Sequence, residues 1–215
     1  MSVPTPASVP PGSGTTFPPT APSDGPLPLP SPRSAFGQSL STALRNRHSV
    51  RTFDTARNIP LQQLSELLWC ACGVNRPDSG GRTAPSWRDA REVEIFISAK
   101  PGVWRYDAVA NQLLPHLKSD IRPLTATPDL VAGAPIELIY VGHRDHLASL
   151  PREDQYRVAS TDSGFIAENI YLYCASEGLA TVFRTSFDHS PLVRALRLDH
   201  RAFVTFVQSV GYPAA

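Results

Sequence analysis

The chain has 215 residues with 20 basic and 19 acidic side chains, which gives a formal net charge of +1. This length is enough for one domain with a real core, and the dispersed basic residues argue against a nucleic-acid partner. Three cysteines, Cys70, Cys72 and Cys174, lie in apolar, helical-looking stretches, which favours buried free thiols over a disulfide framework. No stretch is long and apolar enough to span a membrane, and we expect a cytoplasmic protein.

The first 33 residues differ in composition from the rest of the chain. They contain half of the 22 prolines, mixed with Ser, Thr, Gly and Ala, and such a composition cannot bury a core. The segment also lacks the basic and apolar regions of an ordinary signal peptide. We therefore predict a Pro-rich disordered extension over residues 1–33, passive rather than a docking tail, and one folded domain over residues 34–215.

Two helices are predicted at the start of the folded domain. The first covers residues 35–45 and places Leu40 and Leu44 on one face. The second begins at Pro60, which suits a first helical turn, and ends at Gly73, with leucines at helical spacing between them.

The middle of the chain predicts a loop followed by strands. Polar residues rich in Gly and Pro indicate a loop over residues 75–86. Apolar runs of strand length predict strands at residues 94–98, 103–106, 112–115 and 136–141. The second and third of these runs are close enough in the chain to form a hairpin. The polar run at residues 143–146 is interpreted as a loop rather than a metal-binding pair or a kinase-like motif.

The last third of the chain predicts a long central helix. Ser160, Thr161 and Asp162 are residue types of a helix N-cap, so Asp162 is interpreted as a cap rather than an acid. Apolar residues then recur at helical spacing up to Gly178, which is typical of a buried helix. Two further strands and a short helix between them are predicted at residues 180–183, 203–210 and 191–198. Because strands and helices do not alternate strictly, the sequence predicts an α+β fold.

A basic run directly after the first predicted helix is the main functional candidate. Arg47, Ser49 and Arg51 alternate along it, so in an extended segment their side chains would point the same way. Guanidinium forks match phosphate oxygens, and a hydroxyl adds a donor. The alternative is a basic helix end in which Arg47 stabilises the last carbonyls.

Three segments resemble motifs of the FMN-dependent nitroreductase family. Residues 47–53 are similar to its RxSxRxF opening, and residues 82–86 resemble the RTxPS segment of the SagB-like branch, dehydrogenases that aromatise azoline rings in peptides. Residues 164–181 are similar to the family's QNxxLxAxxxGLxT helix and strand, and residues 211–213 match the usual ending. The three motifs stand in the correct order along the chain.

The resemblance implies an α+β fold with an antiparallel or mixed sheet flanked by helices, in a homodimer with one FMN in each of two interface clefts. The residues implied at the cofactor are Arg47, His48, Ser49 and Arg51 of one subunit, Pro85, Ser86 and Asp89 in a loop of the other, and Thr185 and Ser186. Of these, Arg47, Ser49 and Arg51 would hold the phosphate, ribityl chain and pyrimidine edge, and the last pair would place backbone N–H groups near flavin N5. No catalytic side chain and no metal ion is implied, because the flavin carries the redox chemistry.

The implied activity is the reduction of nitroaromatics, quinones or related small flat acceptors by NADH or NADPH in a ping-pong cycle. Trp87 and Asp89 depart from the residues that are usual in the family's loop. We expect Trp87 to narrow the substrate space, and Asp89 to require pairing with Arg88 or Arg91.

Two other functions stay open at this stage. The chain could bind flavin for storage or sensing without catalysis. It could also be an azoline dehydrogenase in peptide biosynthesis, which ranks lower because neither Lys100 nor Lys118 lies in a matching motif.

Overall fold

The computed structural model describes residues 15–18, 24–126 and 133–214. Its α-helices are α1 Leu40–Asn46, α2 Leu61–Cys72, α3 Arg152–Glu177 and α4 His189–Ala195. Its strands, in chain order, are β1 Thr16–Phe17, β2 Leu27–Pro28, β3 Ile59–Pro60, β4 Val74–Arg76, β5 Gly81–Arg82, β6 Val93–Ala99, β7 Gly102–Asp107, β8 Gln112–Leu117, β9 Ile136–His143, β10 Ala180–Arg184 and β11 Ala202–Gly211.

One antiparallel sheet of seven strands forms the centre of the fold. Its strand order is β10-β11-β9-β6-β7-β8-β2, and each neighbouring pair is antiparallel. The predicted hairpin is β7–β8, with Asp107 opposite Gln112. A small separate hairpin, β4–β5, lies where the sequence predicts a loop at residues 75–86. The predicted α+β class is therefore confirmed, and the sheet is antiparallel rather than mixed.

The main core lies where α2 and α3 pack on this sheet. Leu64 and Leu68 of α2 and Ile170 of α3 have no exposed surface, and neither do Ile97 and Leu138 of the sheet. All five belong to one apolar cluster. Each such side chain contributes about 1.5–3 kcal/mol when it is fully buried.

The central helix α3 is longer than the sequence predicts. It begins after Pro151, with Glu153 and Asp154 in its first turn, where acidic side chains are favourable. Residues 160–162 therefore lie inside the helix, and the prediction that Asp162 is an N-cap is wrong. The predicted C-terminus is confirmed, because Gly178 ends the helix in the left-handed conformation with φ 73°.

Part of the N-terminal segment packs on the domain. Phe17 is fully buried and its ring centroid lies 5.0 Å from that of Trp104, while Leu29 is also buried. Arg33 Nε donates to Glu66 Oε1 at 2.6 Å. The predicted disordered extension is therefore wrong for these residues, which are held by buried apolar side chains and by the ion pairs of Arg33 and Asp24. The other residues of the extension lie outside the described part of the chain.

The first helix is shorter than predicted and begins after Ser39, its N-cap. Its predicted apolar face is not part of the core, because Leu40 is 66% exposed and Leu44 is 54% exposed. An apolar surface is therefore available beside α3, on which α1 packs.

Candidate functional site

A chain of hydrogen bonds joins the end of α1 to β10 through the central helix. Ser49 Oγ lies 2.8 Å from Tyr171 Oη, and the backbone amide of Phe183 donates to the same tyrosine oxygen at 2.9 Å. The backbone leaves α1 in an extended conformation at Arg47, with φ −60° and ψ 117°. This is the condition under which alternate side chains of the basic run point the same way.

Two guanidinium groups lie in this run. Arg47 Cζ is 5.4 Å from the centre of the Tyr171 ring, a cation–π distance, and Arg51 is exposed. Neither guanidinium forms an ion pair or donates to a helix carbonyl within the described ranges, so the helix-end alternative for Arg47 is not supported. His48 is exposed, and its Nδ1 lies 2.6 Å from the Asn46 carbonyl oxygen, so its ring is held at the helix end. Both arginines have charge available for an anion.

The surface continues along the face of α3 that carries Tyr171. Thr185 and Ser186 are exposed just after β10. Ser160, eleven residues or about three turns before Tyr171 and so on the same face, has a buried hydroxyl with no hydrogen-bond partner among the described residues. A Cβ added at Gly164 would meet no atom within 4 Å. The open groove here is lined by Tyr156, Arg157, Ser160, Thr161, Thr185, Thr205 and Phe206.

A buried ion pair fixes the end of β10 directly before Thr185. Arg184 Nη2 lies 2.7 Å from Glu137 Oε2 and donates to Ser209 Oγ at 2.9 Å. Burial raises the pKa of Glu137 to about 7, against the opposite effect of Arg184. The sequence gives no signal for this pair, because it joins strands that are far apart in the chain.

The second predicted group of residues lies in the loop between β5 and β6. The Trp87 amide donates to Asp162 Oδ2 at 2.7 Å, which fixes the loop to α3. The Arg91 amide donates to Ser86 Oγ at 3.1 Å. Asp89 pairs with Arg91 at 2.5 Å, as expected for one of the two arginines considered, and this hydrogen-bonded pair lowers the pKa of the Asp89 carboxyl.

The Trp87 ring stabilises this loop. The Arg88 guanidinium lies 4.8 Å from the ring centre, and the ring packs against a buried cluster formed by Leu147, Val158, Ala159 and Phe203. Trp87 does not line the cavity beneath the loop. Its packing role is therefore clear, and its role beside a substrate stays a prediction.

A cavity of about 430 Å³ lies beneath the loop, a size that suits a small ligand. Pro85 and Ser86 line it, whereas the residues at the end of α1 do not. Its apolar lining is Cys72, Ala84, Val93, Ile95, Tyr106, Ala108 and Ile166. Its charged or titratable polar lining is Arg82, Arg91, Arg105, Glu92, Glu94, Asp107, Asp162 and His146.

Two carboxyl groups are buried next to each other in the cavity wall. Glu92 is 0% exposed and Asp162 is 5% exposed. Burial raises the pKa of Glu92 to about 7, and a side-chain hydrogen bond with the neighbouring Asp162 carboxyl acts in the same direction. Sequence reasoning missed this acid, because no local pattern indicates that Asp162 approaches it.

One chain does not bring the two predicted groups together. Tyr171 and Asp162, the points at which they contact α3, are nine residues apart, or about two and a half turns and about 13 Å along the axis. They therefore lie on opposite sides of the helix. Arg47 and Ser49 are on one side, with the end of β10, and the loop at residues 85–89 is on the other.

The seven-stranded antiparallel sheet and the basic segment after α1 are features of a known class of oxidoreductases. The sequence profile of the Nitroreductase family matches residues 44–212. The chain therefore belongs to the Nitroreductase family.

Individual relatives agree with this assignment. A protein of Methanocaldococcus jannaschii, whose name assigns it as a nitroreductase, is 26% identical over 169 residues, which cover 74% of this chain and 84% of its own. A crystal structure from Ralstonia eutropha, also assigned as a nitroreductase, is similar with a TM-score of 0.85 and 35% identity, covering 88% of this chain and 90% of that one. A structure from Staphylococcus epidermidis, named as an NAD(P)H:FMN oxidoreductase, shares the fold with a TM-score of 0.64 and 15% identity, covering 86% and 92% of the two chains.

Among the described residues, no helix is long and apolar enough to cross a membrane. The same residues contain no group of three or more His, Cys, Asp or Glu side chains that is placed to hold a metal ion.

Proposed function

We propose that this chain is a homodimeric, FMN-dependent oxidoreductase that uses NADH or NADPH to reduce a flat acceptor such as a nitroaromatic or a quinone. The observation that carries the proposal is that Ser49 Oγ and the Arg47 guanidinium both lie beside Tyr171. Neither Arg47 nor the exposed Arg51 has an acidic partner among the described residues. Family membership supports an oxidoreductase, and the similar fold of a protein named as an NAD(P)H:FMN oxidoreductase supports the choice of cofactor and donor.

The residues present fit FMN. Arg47 and Arg51 would pair with its phosphate, since guanidinium–phosphate bonds are charge-assisted and geometrically matched. The open space above Gly164 leaves room for the rest of the molecule. When bound, FMN would accept a hydride from the reduced nicotinamide and pass electrons to the acceptor.

Ser49 would act as a hydrogen-bond donor whose orientation is fixed by Tyr171. Tyr171 accepts a hydrogen bond from the Phe183 amide, which leaves the tyrosine proton for Ser49 Oγ. In this direction the Ser49 proton stays available for the ligand. A fixed donor loses less orientational freedom on binding than a free hydroxyl does.

The backbone amides of Thr185 and Ser186 would lie at the redox-active edge of the cofactor. The buried pair of Arg184 and Glu137 holds the strand end from which these amides emerge. Donors fixed in advance stabilise charge that develops during a reaction, because no reorganisation is needed.

A second copy of the chain would complete the site. Leu40 and Leu44 of α1 and Phe165 of α3 are apolar side chains between 46% and 66% exposed. Packing these faces together by a two-fold axis would remove apolar surface from water. It would also allow the loop with Pro85 and Ser86 of one subunit to reach the flavin of the other.

The test of cofactor binding is a titration of the purified protein with FMN. Losing one charged phosphate contact costs about 1.5–3 kcal/mol, which corresponds to roughly tenfold or more in affinity. Arg47→Ala should weaken binding by that factor. Arg45→Ala, which removes a basic side chain from the last turn of the same helix, should not. Equal FMN affinity in all three proteins would contradict the assignment.

The test of catalysis is steady-state kinetics with both nicotinamides. One cleft that serves donor and acceptor in turn predicts parallel double-reciprocal lines, and intersecting lines would contradict the shared cleft. If bound flavin is reduced by neither NADH nor NADPH, the non-catalytic flavin-binding alternative replaces this function.

A further inference from the structure

The loop between β5 and β6 has an unusual backbone conformation. Arg88, Asp89 and Arg91 have positive φ values of 50°, 58° and 53°, in the left-handed region that side chains with a Cβ rarely adopt. They are three of the five non-glycine residues with positive φ in the part of the chain that is described. Such a conformation is unfavourable and persists only where surrounding contacts impose it, which is common at functional sites.

Hydrogen bonds on both sides of Arg88 impose this conformation. The Trp87 amide donates to Asp162 Oδ2 at 2.7 Å, which fixes the loop to α3. The Asp89 amide donates to the Ser86 carbonyl oxygen at 3.1 Å, which closes a tight turn around Arg88. The direction in which the Arg88 side chain leaves the backbone is therefore fixed by its neighbours.

The charge of Arg88 is not used by the described residues. The side chain is exposed and forms no hydrogen bond or ion pair with them, and its guanidinium lies 4.8 Å from the centre of the Trp87 ring. The neighbouring Asp89 carboxylate is taken by Arg91, whose Nε and Nη2 donate to its two oxygens at 3.0 and 2.5 Å. Arg88 therefore presents a positive charge without a counter-charge at the loop surface.

Other basic side chains lie near the same loop. The hydrogen-bonded pairing with Arg91 lowers the pKa of the Asp89 carboxyl, and the charges of Arg76 and Arg82 act in the same direction. Arg76 is exposed and has no ion pair with the described residues. The loop surface therefore favours the approach of an anion.

We propose that Arg88 binds the pyrophosphate of the reduced nicotinamide dinucleotide that supplies electrons to the flavin. This inference rests on the proposed function, in which the loop with Ser86 reaches the flavin of the other subunit. Arg88 is two residues beyond Ser86, at most about 7 Å along the chain. One ribose separates the nicotinamide from the pyrophosphate, so a nicotinamide ring on the flavin would bring the pyrophosphate near this loop. A guanidinium fork matches its oxygens.

The experiment is anaerobic stopped-flow reduction of the FMN-loaded protein by three donors. NADH and NADPH carry the pyrophosphate, whereas N-benzyl dihydronicotinamide is uncharged and carries no phosphate. Arg88→Met removes the charge but keeps a Cβ and an unbranched stem. It should raise the half-saturating concentration of both dinucleotides roughly tenfold and leave the benzyl donor unaffected. Equal weakening of all three donors, or weakening of NADPH alone, would overturn the proposal.

Two further variants give a rescue and a matched control. Arg88→Lys keeps a positive charge that binds phosphate as a point charge, so it should recover most of the lost dinucleotide affinity. Arg197 is likewise exposed, has φ 54° and has no side-chain partner among the described residues, but it follows α4. Arg197→Met should match the wild type with every donor. The same loss in Arg197→Met as in Arg88→Met would refute a specific role for the loop arginine.

Calorimetry separates this inference from the proposed function. The ligands are FMN and tetrahydro-NADH, an analogue that cannot transfer a hydride, and the analogue is titrated with and without FMN. Arg88→Met should bind the analogue about tenfold more weakly than the wild type and keep wild-type FMN affinity. Weaker FMN binding would assign the guanidinium to the flavin phosphate and contradict the proposal.

The two assignments can fail independently. If FMN binds and is reduced but Arg88→Met matches the wild type with both dinucleotides, this inference fails and the proposed function stands. If no protein binds FMN, the flavin assignment fails, and binding of the analogue to the flavin-free protein decides the role of Arg88. A loss in Arg88→Met then supports the pyrophosphate site, whereas equal binding or none rejects it.

Discussion

Replacing the buried acid Glu92 by glutamine should change how the stability of the protein depends on pH. Glu92 has no exposed surface and lies beside Asp162, and its pKa is raised from 4.5 to about 7. Between these two values the folded chain keeps a proton that the unfolded chain releases. Stability therefore falls as pH rises through this window, because the unfolded state binds fewer protons than the folded state. Glutamine does not titrate, so the stability of Glu92→Gln should not fall in this way.

The size of the effect follows from the two pKa values. Each pKa unit corresponds to about 1.4 kcal/mol, so a rise from 4.5 to about 7 limits the total to about 3 kcal/mol. Part of the window lies below pH 5. Between pH 5 and pH 8 we therefore expect the free energy of unfolding of the wild type to fall by about 2–3 kcal/mol more than that of Glu92→Gln. Glu137 is another buried acid whose pKa is raised to about 7, but it is present in both proteins and its contribution cancels in the comparison.

The assay is urea unfolding of both proteins at pH 5 and pH 8, with the free energy of unfolding extrapolated to water. Glu168→Gln is the control, because Glu168 is an exposed carboxyl on α3 and its replacement should leave the wild-type pH dependence unchanged. The same pH dependence in Glu92→Gln and in the wild type would refute the reasoning, and Glu92 would then be ionised in the folded protein at pH 5.

Three further perturbations test other parts of the structure. Deleting residues 1–33 should lower the melting temperature, because burial of Phe17 alone contributes about 1.5–3 kcal/mol and the ion pairs of Arg33 and Asp24 are lost with it; an unchanged melting temperature would show that the segment is dispensable. Leu44→Glu places a charge on a half-exposed apolar position, so it should shift sedimentation towards monomer and reduce flavin content without unfolding the chain; a flavin-loaded monomer would contradict the shared site. Tyr171→Phe removes the acceptor of the Phe183 amide and should cost about 1–3 kcal/mol in thermal unfolding and weaken FMN binding; wild-type values for both would mean that the tyrosine hydroxyl has no role.

Two controls accompany these variants. A deletion of residues 1–14 removes only residues outside the described part of the chain. Comparing its melting temperature with that of the 1–33 deletion distinguishes the effect of losing the packed residues from the effect of shortening the chain. Val109→Glu introduces the same charge as Leu44→Glu at a more exposed apolar position, 77% exposed in the β7–β8 turn. It should leave the sedimentation coefficient unchanged.

The parts of the fold that the sequence predicts are those specified by local signals. Each of three correctly predicted features depends on residues that are close together in the chain. The second helix is specified by the spacing of its apolar residues, the β7–β8 hairpin by the length of its turn, and the end of α3 by the left-handed cap at Gly178. The same reliance on local signals explains the error at Asp162. A Ser-Thr-Asp run is a good cap in isolation, but the helix begins about two turns earlier, so this carboxylate holds the loop at Trp87 instead.

Some residues of the candidate site carry a local sequence signal and others do not. Arg47, Ser49 and Arg51 are visible as an alternating run, and the structure places Ser49 on Tyr171. The buried acid Glu92 could not be predicted, because burial of a polar group depends on segments that meet only in the folded chain. The prediction of disorder for the N-terminal segment fails for a related reason. It depends on average composition, which does not indicate that a few apolar side chains are buried in the core.

In the proposed homodimer, the position of the two predicted groups of site residues on opposite sides of α3 has a consequence for mixtures of inactive variants. A subunit without Arg47 keeps an intact loop, and a subunit with a defective loop at Ser86 keeps an intact basic run. When the two are combined and allowed to exchange, a mixed dimer carries both defects in one cleft and none in the other. Random exchange should therefore restore roughly a quarter of the clefts, although neither parent protein has a complete one. Restored activity in such a mixture would therefore show that each cleft combines residues of two subunits.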